Sequence, residues 1–190
     1  MIQARHITFN IEYGVYIKAL EDSLSKDKHF GKGNYLDIGS KIRKFLTKYS
    51  HYTEADHSSF DAHITEEQLK LTHTFYQYCF YHDRKLRALS KKTLRNSCST
   101  RDGVKYKVNG TRMSGDVDTS LGNSLINYAI IEQVLLELGI DGDCIVNGDD
   151  SIIFTNQPIP QERAQDLFRK YNQENQRPRF RQLAAPNDSN

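Results

Sequence analysis

Cysteine is too scarce and too scattered in this sequence to staple it. Cys79, Cys98 and Cys144 are odd in number, far apart and form no C-x-x-C pair. That argues against a disulfide scaffold and a structural zinc site, and it suits a reducing compartment. No secretory signal or transmembrane span is expected. The most apolar window, Leu125 to Ile140, is broken by Asn127, Glu132, Gln133 and Glu137. All seven histidines lie at or before His82 and show no zinc-like pairing, so none is assigned a catalytic role. Tryptophan is missing altogether, which decides nothing. At 190 residues, with 37% hydrophobic and 26% charged, the chain has room for one sizeable core, or one domain plus pieces of another, and reads as a polar globular sequence.

One charge sign is also missing over a long stretch. Between Met113 and Ser151 there is no Lys or Arg, against eight Asp or Glu. The preceding segment, Arg84 to Arg112, has ten Lys or Arg against Asp102 alone, a balance of +9, inside a net charge of only +2. A basic block beside an acidic one fits a site that handles a polyanion with a metal. It also fits two surface faces that pair with each other.

The acidic block ends in Cys144-Ile145-Val146-Asn147-Gly148-Asp149-Asp150-Ser151-Ile152-Ile153-Phe154. Apolar runs flank Gly-Asp-Asp, so the stretch predicts a β-hairpin with two adjacent carboxylates at its tip. An exposed acidic turn would look the same. A divalent cation with oxygen ligands is the alternative that gives two like charges a reason to sit together.

Upstream, Asp56 and Asp61 precede a capping box at Thr65-Glu66-Glu67-Gln68, so both stand where an element ends and a loop opens. The spacing predicts helices over 11–24, capped by Asn10, over 38–49, and over 65–89, with Phe75, Cys79, His82, Leu86 and Leu89 inward. Asn109-Gly110 is a hairpin signal. Ser114-Gly115 forms a loop, and Asp118 is placed to cap a helix from Thr119 to Gly139. Along that helix Thr119, Asn123 and Asn127 form a polar line at four-residue spacing. On a buried helix such a line either satisfies neighbouring backbone or faces a ligand. A further helix is expected over 161–171, and 172–190 reads as loop or tail.

Asp56-x4-Asp61, then Ser114-Gly115-x3-Thr119-x3-Asn123, then Gly148-Asp149-Asp150 resembles, in this order, the palm motifs A, B and C of viral RNA-dependent RNA polymerases. The wording from Arg112 to Asn123 looks closest to the tombusvirus-like positive-strand RNA viruses. Met1 to Arg5 looks like the end of motif F, which holds the incoming triphosphate. The resemblance implies an α+β fold: a polymerase palm whose small antiparallel sheet packs on helices, with an RRM- or ferredoxin-like core. It divides the chain into a fingers-side segment (1–50), a palm (51–171, with motifs A at 54–64, B at 112–130 and C at 144–154) and the tail.

It further implies template-directed RNA synthesis from ribonucleoside triphosphates. Asp56, Asp149 and Asp150 would hold two Mg²⁺ ions, with Mn²⁺ as a substitute, about 3.5–4 Å apart. Asp61 and Asn123 would read the ribose 2′-hydroxyl, supported by Ser114, Gly115 and Thr119, with Arg5 on the nucleotide. The basic segment would line a template channel. Lys170 is a candidate for the general acid of motif D. Partners would be RNA template, primer or nascent strand and other replicase segments, in membrane-associated complexes of the host cytoplasm. Reverse transcriptases, which want bulk at position 61, and palm-type cyclases, which lack the Ser-Gly-x3-Thr-x3-Asn helix, fit less well. A non-catalytic RNA-binding or scaffold fragment would carry the same motifs.

Overall fold

β1 (His51–Asp56) is the strand about which the sheet is ordered. In the computed structural model, which describes residues 5–57, 59–100, 102–172 and 179–184, it lies between β5 (Asp150–Thr155) and β6 (Arg179–Ala184). β4 (Gly142–Asn147) completes the order β4-β5-β1-β6, with every pairing antiparallel. The β4–β5 hairpin is closed by Gly148-Asp149, since Asn147 pairs with Asp150. Gly148 takes φ +70°, which a side chain would resist.

Side chains alternate across the strands, and each face finds its own cover. Ala55, Cys144, Val146 and Ile153 pack against α6 (Thr119–Leu138) and α7 (Gln161–Asn172) through Ile126, Ile130, Val134 and Phe168. The opposite face offers Ile145 and Phe154 to Phe45 and Tyr49 at the end of α2 (Tyr35–Lys48). A second apolar cluster joins α6, through Leu121, to α1 (Ile7–Leu24), α4 (Glu66–Cys79) and α5 (Arg84–Lys91). Helix α6 is therefore sandwiched between two cores, which is why its buried positions are not confined to one stripe.

Several expectations need correction. Helix α1 starts at Ile7, capped by the His6 ring and not by Asn10. The helix expected over 65–89 is two. Asp83 accepts from the Leu86 N–H and starts α5, after a turn in which Tyr81 and His82 both have positive φ. Cys79 and His82 are consequently exposed, and Leu69, Thr72, His73 and Tyr76 face inward instead. Asn109-Gly110 closes no hairpin. It leads out of β3 (Lys105–Asn109), whose partner β2 (Arg95–Ser99) precedes it. Gly110 is needed there because a Cβ would stand 2.8 Å from the Glu66 nitrogen. The tail contributes a strand, β6, in register with β1 from His51↔Ala184 to Asp56↔Arg179. Edge pairing is made by backbone groups, so a polar sequence can supply it. Residues 1–4 of the motif F resemblance, and 173–178 and 185–190 of the tail, lie outside the described residues.

Candidate active site

Asp56 ends β1 one residue beyond the pair Ala55↔Ser151, which brings it opposite Asp150. Both line a cleft of about 440 Å³ together with Glu54, Asn147 and Gly31. Asp149, at the turn itself, lines a second cleft of about 410 Å³ with Asp61, Ser114, Tyr106 and Met113. The two neighbouring carboxylates thus serve opposite sides of one turn. Burial raises the Asp149 carboxyl above its ordinary range, and the like charges of Asp150, Asp61 and Asp56 add to the effect. Among the described residues no group of three His, Cys, Asp or Glu side chains is drawn together as a ready-made metal site.

The turn is held from below by α6. Asn127 Nδ2 donates to the main-chain carbonyls of Asp149 (2.9 Å) and Gly148 (3.3 Å). Ser124 Oγ accepts from the Gly148 N–H at 2.7 Å. The neighbouring edge is held too: Val146 exchanges backbone hydrogen bonds with His29 and Gly31, and the ammonium of Lys41 donates to the carbonyls of Ser25 and Phe30 in that segment. His57, buried next to Asp56, hydrogen-bonds the Asn127 side chain. Burial pushes its pKa down to about 4 against the opposing influence of that bond and of Asp56.

Asp61 is held at every polar atom that matters. Ser114 Oγ donates to its Oδ2 at 2.5 Å and Asn123 Nδ2 to its Oδ1 at 2.6 Å. Its carbonyl accepts from the Arg112 N–H at 2.9 Å. Behind Asn123 lies a wholly buried ion pair, Arg112 to Asp118 at 2.7 Å. So Asp118 sits at the N-cap of α6 but does not cap it; its carboxylate is turned to the guanidinium. Thr119 Oγ1 donates to the carbonyls of Asp116 and Met113, tying down the Ser114-Gly115 loop. Each member of the polar line Thr119, Asn123, Asn127 therefore has a partner in the protein, and of the two readings of such a line Asn127 takes the first, satisfying the backbone of the turn.

Two residues stand apart. The Arg5 guanidinium is engaged by both Asp116 carboxylate oxygens and by Asn96 Oδ1, in a separate polar cleft with Lys92, Arg95 and Ser97. Lys170 is paired with Glu137 near the C-terminus of α6, and at 1.5 Å per residue that is roughly 20 Å along the helix from Asn123. Of the basic segment, Arg84, Lys85, Arg87, Lys91, Lys92, Arg95, Lys105 and Lys107 are exposed and Arg112 is buried.

The family model described as viral RNA-dependent RNA polymerase matches residues 1–176. The chain belongs to that family. Among curated relatives it is 36% identical over 166 residues to the RNA-directed RNA polymerase of Panicum mosaic virus (strain United States/Kansas 109S), covering 80% of this chain and 17% of that protein. It is 33% identical over 169 residues to that of Red clover necrotic mosaic virus (80% and 22%). It is 31% identical over 188 residues to that of Melon necrotic spot virus (91% and 24%). The chain thus spans about a fifth of the length of these polymerases. No helix among its described residues is long and apolar enough to cross a membrane.

Of the side chains that hold these carboxylates and the turn, Ser114, Asn123 and Asn127 stand out in the sequence, whereas Ser124 and Arg112 do not. Ser124 and Arg112 bear signals only in retrospect. Ser124 lies one residue after Asn123 on α6, and Arg112 is the last cation before a segment free of basic charge.

Proposed function

We propose that this chain is the catalytic palm of a polymerase that copies an RNA template by adding ribonucleotides to an RNA 3′-hydroxyl. The observation that carries the reading is the grip of Ser114 and Asn123 on Asp61 in the cleft that Asp149 also lines. A carboxylate fixed there, with lone pairs to spare on both oxygens, is an acceptor suited to a ribose 2′-hydroxyl. The element order β1, α6, β4, β5, α7, β6 with strand order β4-β5-β1-β6 supports a βαββαβ core of the ferredoxin or RRM kind, interrupted by residues between β1 and α6.

Asp56, Asp149 and Asp150 form no ion pair with a described side chain, and their hard oxygen donors fit divalent magnesium or manganese. These three would hold two such cations, which when bound supply charge neutralisation and lower the pKa of the attacking hydroxyl. The carboxylates repel one another meanwhile, and that is consistent with the raised Asp149 pKa. The protein's own contribution is positioning. Asn127 and Ser124 fix the turn, Asp61 with Asn123 selects the sugar, and the exposed cations from Arg84 to Lys107 track the template backbone by charge. On this reading the chain works with further polymerase segments in replication complexes of the host cytoplasm.

The test is incorporation of ribonucleotides on a primer–template with Mg²⁺ or Mn²⁺. Activity that disappears in Asp149→Ala supports the reading, and activity that survives the substitution overturns it. Because the chain spans only 17–24% of those relatives, a second reading stands, in which it is an RNA-binding scaffold piece. RNA binding without incorporation under either cation would establish that one instead.

A further inference from the structure

We propose that Arg112, whose side chain is wholly buried, is the positioning residue that sets ribose selectivity, by holding the Asn123 amide in the one orientation that donates to Asp61. The inference rests on the assignment of Asp61 as the ribose-reading group.

A guanidinium can only donate, whereas an amide presents a donor at one end and an acceptor at the other. Arg112 Nε donates to Asn123 Oδ1 at 3.3 Å. That contact fixes the amide carbonyl toward Arg112 and its Nδ2 toward Asp61, where it donates at 2.6 Å. Turned over, Asn123 would set a carbonyl oxygen against a carboxylate, and Asp61 would have to rotate away from both Asn123 and the sugar. Arg112 also holds the other end of the residue, since its main-chain N–H donates to the Asp61 carbonyl at 2.9 Å. One residue therefore positions Asp61 through backbone and side chain together.

Arg112 is itself given little freedom. Its Nη1 bonds Asp118 Oδ2 at 2.7 Å, with both side chains 0% exposed. The same carboxylate oxygen accepts from the phenols of Tyr13 at 3.3 Å and Tyr76 at 3.5 Å, which come from α1 and α4. Gly122 leaves the space the guanidinium fills, because a Cβ there would collide with it. As a stabiliser the pair is poor. Arg112 Nη2 and Asp118 Oδ1 are buried with no hydrogen-bond partner among the described residues, and a desolvated ion pair with unmet atoms gains little over apolar packing. What it supplies is a fixed direction for Nε.

The experiment is equilibrium binding of ATP and of 2′-deoxy-ATP, each with Mg²⁺, to the wild-type chain and to Arg112→Lys. Lysine keeps a cation for Asp118, but it is a compact point charge without the planar fork that aims one nitrogen at Asp118 and another at Asn123. The wild-type chain is expected to prefer ATP. Arg112→Lys, folded by circular dichroism, is expected to lose about three- to tenfold of that preference, the equivalent of one hydrogen bond of ordinary net strength. If Arg112→Lys does not fold, Asp118→Asn poses the same question, because it keeps the volume and removes the charge that aims the guanidinium. A folded variant that retains the wild-type ratio overturns the proposal. A wild-type chain with no preference for ATP removes the ribose-reading assignment beneath it, an outcome distinct from the first.

Discussion

Asn123 and Asp61 meet across 62 positions of sequence through one short hydrogen bond, Nδ2 to Oδ1 at 2.6 Å. With Ser114 on the other oxygen, the carboxylate is presented in one pose. Asp61→Ala is expected to reduce discrimination between ribo- and deoxyribonucleotides by at least about tenfold, since a charged acceptor is lost outright. Asn123→Ala should reduce it less, leaving Ser114 in place. Competition between labelled ATP and 2′-deoxy-ATP measures both. Equal discrimination in Asp61→Ala would remove the residue from sugar selection.

Asp149 is held at some electrostatic cost, its carboxyl raised by burial and by three like charges. Asp149→Asn relieves that cost, so without divalent ions it is expected to melt slightly higher than wild type, by roughly 2 °C for a domain of this length. Millimolar Mg²⁺ should raise the wild-type Tm and leave the variant unmoved, because a ligand that binds only the folded state stabilises it by mass action. A thermal melt with and without Mg²⁺ tests both statements, and an equal Mg²⁺ response in the two proteins would argue against the assigned cation site.

Gly122 lies inside α6, where glycine-to-alanine normally gains about 1 kcal/mol of helix stability. Here the sign is expected to reverse. A Cβ would be driven into the Arg112 guanidinium, and displacing a buried, paired cation should cost about 1–3 kcal/mol net. Urea denaturation of Gly122→Ala decides between gain and loss.

His57 and His73 are both buried and neutral, each pushed by burial from 6.5 to about 4. Below pH 6.5 the unfolded chain binds protons that the folded chain refuses, so stability should fall as pH drops from about 6.5 toward 4. The slope is up to about 1.4 kcal/mol per pH unit for each histidine. Replacing His73, which hydrogen-bonds Thr93, by Gln should flatten that slope without removing the acid sensitivity due to His57. Denaturation midpoints across the window measure it.

The elements that carry a strong local signal were legible in the sequence. The Gly148-Asp149 hairpin, the Thr65 capping box and the end of α6 at Gly139 all follow from turn and cap chemistry. What was not legible depends on distant partners. No periodicity shows that Asp118 will leave its cap for Arg112 or that Asn127 will reach the turn. Nor does it show that Arg5 will be engaged by Asp116, 111 residues away. The strand β6 escaped for a related reason, because an edge strand recruited by backbone pairing needs no apolar alternation to mark it.

Helix α6 acts as a ruler. Asn123 grips Asp61 and Asn127 grips the Gly148-Asp149 turn, and the two grips are separated by four residues of a helix locked between two cores, about 6 Å along its axis. That interval is fixed by the pitch of the backbone and not by any side chain. Substitutions can alter what each grip holds, but they leave the spacing between the Asp61 carboxylate and the Asp149 turn unchanged. Shifting that spacing would take an insertion or deletion within Asn123–Asn127, which would move one grip by 100° around the helix for every residue gained or lost.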